Sequence, residues 1–171
     1  MVIVETARLR LRRLTQSDAA FVLRLVNEPS WLRYIGDRGV RDLDGARHYI
    51  ETVPLAMYAR QDFGLWLAER RSDGVPLGQC GLLKRDSPEH PDIGFALLPA
   101  YWGQGYAREA AEATLALGHG RYGMPEVQAI TTPDNHASIG LLTRLGFACL
   151  GLRELVPGDP VKLFSHQTGS P

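Results

Sequence analysis

The chain has 171 residues, a length that suits one domain and leaves little room for a second. Basic and acidic side chains number 19 each, so the formal net charge is zero, and no broad field for nucleic acid or an anionic membrane is set up. Hydrophobic residues make up 44%, enough for a continuous core without disulfide or metal staples. The two cysteines, Cys80 and Cys149, are far apart and form no CxxC pair. Both read as small core hydrophobes in a reducing compartment. The apolar run 2–4 meets Glu5 and then arginines, unlike a secretory leader, and no apolar stretch reaches the length of a membrane span. A cytoplasmic protein with no nucleic-acid or membrane partner is expected.

Residues 8–14 alternate as a half-buried strand, with Leu9 and Leu11 toward the core and Arg8, Arg10 and Arg12 on a solvated face. Thr15-Gln16-Ser17-Asp18 matches a capping box that starts a helix over 19–26. Residues 29–39 read as a loop holding Trp31 and Tyr34. Asp44 is a candidate cap for a second helix over 45–58, which Pro54 interrupts. Strands follow at 63–69 and 75–83, joined by the turn Ser72-Asp73-Gly74, and at 92–98, ended by Pro99. A long helix is expected over 105–122, with Gly123 at its end. A strand at 127–131, a helix at 135–145 stopped by Gly146, and strands at 147–152 and 161–165 complete the pattern. The fold class is α/β (α+β): a mixed, mostly antiparallel central sheet of about six to seven strands with helices on both faces. One domain spans 1–166, and the small polar residues 167–171 form a frayed tail.

Chemistry concentrates in residues 92–110. This segment is a strand, then a tight loop with Gly103 and Gly105, then the start of a helix. Glycine lets backbone approach a ligand, and the first amides of a helix lack internal partners, so the two together cradle an anion. A P-loop would need Lys-Ser or Lys-Thr, and neither occurs. A dinucleotide fingerprint fails at Arg108, where a small residue is required. Taken alone, the two glycines fit a plain tight turn as well.

The segment resembles motif A of the GNAT superfamily of N-acetyltransferases. Gly105 and Ala107 match its last two fixed positions, and Trp102 stands where Gln or Arg is usual. The run Tyr-Trp-Gly-Gln-Gly-Tyr-Ala at 101–107, the pair Asn135-His136-Ala137-Ser138 and Leu145-Gly146-Phe147, and the start Glu5-Thr6-Ala7-Arg8-Leu9-Arg10-Leu11-Arg12 are similar to the RimJ/RimL-like branch. The resemblance covers about 5–164. It implies acetyl-CoA as co-substrate, no metal, and an amine acceptor that is either a protein N-terminus or a small molecule. It also implies direct attack with no covalent enzyme intermediate, by a monomer or homodimer.

By the same resemblance, Trp102, Gly103, Gln104, Gly105, Tyr106, Ala107 and Arg108 hold the pyrophosphate. Leu97 and Leu98 pair backbone groups with the pantetheine arm and its thioester, and Asn135 bonds the cofactor. The tyrosine acid that many members carry is replaced by Leu142, and Ser138 matches the alternative donor of this branch. Asp92 is the candidate base, acting through water, with Glu89 and His90 close by in sequence. Trp31 and Tyr34 border the acceptor site. Bland readings stand beside these: Asn135 and Ser138 as helix caps, Asp92 as a strand-entry carboxylate, and Trp31 and Tyr34 as core packing. Two other functions compete. A non-catalytic CoA-binding module fits the absence of the tyrosine. A serine hydrolase is suggested by His136-Ala137-Ser138-Ile139-Gly140, which lacks the first glycine of an elbow.

Overall fold

Leu9 and Leu11 are fully buried, and Arg10 and Arg12 alternate with them in half-exposed positions, the period-two signature of a strand. In the computed structural model, which describes residues 1–86 and 88–169, this strand is the second of eight in one sheet. The strands are β1 (Val2–Glu5), β2 (Leu9–Arg12), β3 (Leu65–Arg70), β4 (Pro76–Leu83), β5 (Asp92–Leu97), β6 (Glu126–Thr131), β7 (Ala148–Val156) and β8 (Asp159–Gln167). Their order is β1-β2-β3-β4-β5-β6-β8-β7, and all neighbours are antiparallel except β5 and β6. The helices are α1 (Ala19–Leu25), α2 (Pro29–Tyr34), α3 (Leu43–Ile50), α4 (Ala56–Gln61), α5 (Tyr106–His119) and α6 (His136–Arg144). One core packs α5 and α6 against Leu9, Leu11, Trp66, Cys80 and Leu82. A second packs α1, α2 and α3 against Leu67 and Leu98 on the other face. The mixed sheet covered on both faces is the expected class, with eight strands in place of six or seven.

The parallel pair matters most. β5 and β6 meet at Asp92 opposite Gln128, where the Gln128 amide donates to Pro91 O at 2.8 Å. No further register pair is made, so the strands part toward the C-terminal end of β5.

Several expectations are corrected. Residues 29–39 are not all loop: Pro29 opens α2 at its first turn, where a missing N–H costs nothing. α3 is capped by Asp42, not Asp44; its carboxylate accepts from the Gly45 amide at 2.7 Å. Pro54 interrupts the second helix as expected, without ending it. A π-turn over Glu51–Leu55 absorbs it, and helix continues to Gln61. Cys149 is exposed on β7, unlike the buried Cys80. The arginines of β2 are paired rather than merely solvated: Arg12 bonds Asp18 (2.9 Å) and Glu69 (2.9 Å), and Arg10 bonds Glu69 (3.1 Å). At the C-terminus, β8 runs through Gln167 and the Thr168 amide donates to Pro125 O (2.9 Å), so these residues are held. Residues 170–171 of the expected tail lie outside those described. The Thr15 capping box is present, around a 3-10 turn ahead of α1.

β4 and β5 approach closely at Gly78, where an added Cβ would fall 2.1 Å from Ala96 O. Gly78→Ala is expected to lower unfolding free energy by about 2–4 kcal/mol. Urea denaturation checks this, and a loss below about 1 kcal/mol would contradict the close approach.

Candidate active site

Alternation along β5 sets the site. The Leu98 amide donates to Leu77 O (2.9 Å), inside the sheet, so the backbone of Phe95 and Leu97 turns the other way, toward the gap beside β6. Leu98 is therefore not available in the role expected of it: its amide is spent on β4 and its side chain lies in the second core. Leu97 keeps its amide on the open side, while its carbonyl accepts from the Trp102 indole (2.9 Å). Phe95, which the motif reading passed over, presents its backbone there as well.

After β5, a 3-10 turn (Pro99–Tyr101) leads into the loop. Gly103 (φ 72°) and Gly105 (φ 80°) both take left-handed backbone, which glycine adopts without strain. Gly105 caps α5 with no side chain, and the first α-helical bond is Glu109 N to Gly105 O (3.1 Å). The amides of Tyr106, Ala107 and Arg108 thus lack intrahelical acceptors and sit at the positive end of a 14-residue helix. A Cβ at Gly103 would meet nothing within 4 Å, so the loop's outer side is open to a ligand. These features fit a diphosphate. The side chains of Gln104 and Arg108 turn elsewhere, to Ala100 O (3.2 Å) and Glu112 (2.9 Å), leaving their backbone as the contribution to the cradle.

Arg8 braces this loop from the far end of the sequence. Its guanidinium donates to Gln104 O (2.9 Å) and to Glu109 Oε2 (2.7 Å), and it stacks 4.3 Å from the Tyr106 ring. Glu109 also accepts from the Arg8 amide (2.8 Å) and the Thr6 hydroxyl (2.6 Å). Burial raises the Glu109 carboxyl, but these donors outweigh it and leave its pKa lowered.

Two cavities meet across the gap. One, of about 550 Å³, runs along the loop and α6 and is lined by Leu97, Trp102, Gly103, Gly105, Tyr106 and Ala107. The other, of about 650 Å³, lies under α3 and is lined by Tyr49, Gln79, Asp92, Gly94 and Thr131. Trp31, Tyr34, Phe95, Ala96, Asn135 and Ser138 line both. Asn135 caps α6, its Oδ1 accepting from the Ser138 amide (3.3 Å), so its amide nitrogen is left for a ligand. The Ser138 hydroxyl makes no hydrogen bond among the described residues, to histidine or otherwise, and Ser138 stands in the first turn of α6 rather than on a strand-to-helix elbow. That removes the serine-hydrolase reading. Leu142 is fully buried against the same wall and brings no hydroxyl.

Asp92 is 1% exposed. Burial pushes its carboxyl up to about 6, against the opposing pull of Arg85, which donates to Oδ2 at 2.8 Å. Oδ1 has no partner among the described residues, and Asp92 lines the larger cavity. His90 turns away to pair with Glu126 (3.1 Å), and Glu89 is exposed, so neither joins Asp92. Among the described residues no three His, Cys, Asp or Glu side chains gather as a metal site, and no helix is long and apolar enough to cross a membrane.

Residues 8–148 match the acetyltransferase (GNAT) domain model. The chain is 27% identical over 170 residues to the uncharacterized N-acetyltransferase YoaA of Bacillus subtilis, covering 99% of this chain and 91% of that one. It is 32% identical over 146 residues to the uncharacterized protein YkkB of the same organism, covering 82% of each. Its fold superimposes, with a TM-score of 0.83 at 18% identity and 98% coverage of both chains, on RimL, the ribosomal L7/L12 alpha-N-protein acetyltransferase, solved in complex with coenzyme A. A strand that parts from its neighbour beside a glycine-rich anion cradle defines an acyl-transfer fold, and the chain belongs to the GNAT acetyltransferase family.

Two outcomes follow. Arg8→Met is expected to weaken acetyl-CoA binding about tenfold in calorimetry, through loss of the brace on Gln104 O, with little change in melting temperature because the Arg8 side chain is 44% exposed. Undiminished affinity would remove Arg8 from the cradle. For Asp92, the folded carboxyl holds its proton to about pH 6 and the unfolded one releases it near 3.8, so its contribution to stability is full below about pH 4 and is lost as pH rises through 6. Asp92→Asn should therefore gain on the order of 1–3 kcal/mol relative to wild type between pH 4 and pH 8 in urea melts. A difference that does not vary with pH would show that the carboxyl titrates normally.

Proposed function

We propose that the loop cavity holds acetyl-CoA and the larger cavity holds an acceptor amine, with transfer across their shared wall. The observation that carries this reading is that wall itself: Phe95, Ala96, Asn135 and Ser138 face both spaces. When bound, acetyl-CoA supplies an acetyl thioester open to nucleophilic attack. The amides of residues 103–108 bind its diphosphate. The backbone of Phe95 and the free amide of Leu97 add the extended arm to the sheet edge, and the Leu97 amide is aimed where a carbonyl oxygen gains charge. The Asn135 amide nitrogen donates to the same arm.

On the acceptor side, Trp31 and Tyr34 wall the entrance, and Asp92 draws the proton from the amine through water. A carboxyl near 6 is ionised at neutral pH yet basic enough for this role. The Ser138 hydroxyl donates a hydrogen bond that stabilises the departing thiolate, which takes its proton from solvent, replacing the tyrosine that Leu142 cannot provide. The acceptor is a protein N-terminus, as the name of the RimL neighbour favours, or a small-molecule amine. The reaction belongs in the cytoplasm, consistent with the free thiols of Cys80 and Cys149, and the enzyme acts as a monomer or homodimer.

Thiol release from acetyl-CoA over a panel of amines tests the assignment. Wild type should turn over at least one class, and Ser138→Ala should lower kcat about 10²-fold while acetyl-CoA affinity changes little. Unaltered kcat with chemistry rate-limiting would take Ser138 out of the mechanism. An enzyme that binds acetyl-CoA but releases no thiol with any amine would be a binding module instead.

A further inference from the structure

The acceptor cavity holds more unpaired polar chemistry than proton transfer needs. Gln79 on β4 is 1% exposed, and neither its amide nitrogen nor its oxygen has a partner among the described residues. Its cross-strand neighbours, Leu67 and Ala96, offer no polar side chain. The Trp31 indole N–H, Asp92 Oδ1 and the Thr131 hydroxyl are buried and unpaired in the same way. All four residues line the one cavity. Native interiors leave few such groups, and each lone buried amide is costly unless something bonds it.

The placement follows from register. Gln79 pairs with Ala96, Gly81 with Gly94 and Leu83 with Asp92, so Gln79, Gly94 and Asp92 share one face of the sheet. Gly94 brings no side chain of its own to that floor, where Leu83 Cδ1 lies 3.0 Å from the place a Cβ would take, and Tyr49 and Val53 line the same cavity. A volume of about 650 Å³ is ample for a small ligand.

The inventory is specific. Trp31 can only donate, Asp92 Oδ1 can only accept when ionised, and Gln79 does both from adjacent atoms. A ligand amide matches Gln79 on both counts, its oxygen accepting from the Gln79 nitrogen and its N–H donating to the Gln79 oxygen. We infer that Gln79 determines specificity by bonding an amide on the acceptor, so that the substrates are primary amines that also carry an amide group. This rests on the acceptor-site reading above. The same chemistry comes from two sources, the first peptide bond of a polypeptide or a free amino-acid amide.

The test uses the intact protein with coenzyme A bound, alaninamide as probe and n-propylamine as the apolar control. The side-chain amide signal of Gln79 in a ¹⁵N spectrum should shift on titration with alaninamide and stay in place with n-propylamine. Gln79→Met, matched in length and volume, should lower kcat/KM for alaninamide by at least about tenfold, the worth of one buried hydrogen bond. It should leave n-propylamine and the KM for acetyl-CoA within about twofold, since neither meets the lost amide. Parallel losses for both amines, no loss for either, or an unmoved Gln79 signal would overturn the inference. A wild type that releases no thiol with any amine would sink the acetyl-transfer reading instead, while the spectrum still decides whether Gln79 binds the amide. An alanyl tetrapeptide separates the sources: turnover comparable to alaninamide assigns polypeptide N-termini, and its rejection with alaninamide accepted assigns a free small molecule.

Discussion

Backbone hydrogen bonds at the C-terminal half of β5 have no strand to receive them. Buried amides and carbonyls are nearly always paired, so a parallel pair that joins at Asp92 and Gln128 and then parts creates a demand that a ligand can meet. The rest of the site answers to that gap. β4 fixes one edge of β5, which forces Phe95 and Leu97 to face the opening. β8 fixes the far edge of β6, so β6 cannot swing back to close it. α5 and α6 then place two helix N-termini beside the same opening, one capped by a glycine that leaves its amides bare and one capped by Asn135.

The two sides of the gap are built from different physics. The donor side is backbone: left-handed glycines, uncapped amides and a strand edge, with Arg8 and Glu109 holding the loop in shape from the opposite end of the chain. On the proposed reading it recognises a phosphate-bearing, extended molecule largely without side chains. The acceptor side is side-chain chemistry under a helical roof: aromatic walls, a carboxyl raised by burial, and an unpaired carboxamide. Backbone recognition tolerates much sequence change, whereas a side-chain pocket is redrawn by a few substitutions. The split explains how one cofactor cradle can serve a choice of amines.

What could be read before the structure follows the same division. Gly103, Gly105 and the helix behind them were legible because glycine spacing and helix starts are local signals. Asn135 and Ser138 were legible for the same reason, as residues at a helix entry. The alternation of Leu9 and Leu11 placed β2, but the partners of its arginines were invisible, since Arg8 meets Glu109 across a hundred residues of sequence. Leu98 was misassigned because strand phase, not strand existence, decides which amides face the gap; the Leu77 pairing that sets the phase is a long-range contact. Gln79 gave no signal at all, being one polar residue in an apolar strand whose meaning depends on the cavity above it. Proline at 29 misled in the direction of a loop, because it opens a helix, while the interruption expected at Pro54 takes the form of a π-turn within a continuing helix.

The central claim is that the uncapped backbone of residues 103–108 holds the diphosphate of coenzyme A. Hydrogen exchange of the purified protein, measured amide by amide with and without coenzyme A, tests it most directly. The amides of Gly103 to Arg108 and of Leu97 should exchange at least about tenfold more slowly when coenzyme A is present, ahead of any change in the acceptor cavity. Tight binding of coenzyme A with exchange at these amides unaltered would contradict it and place the ligand elsewhere.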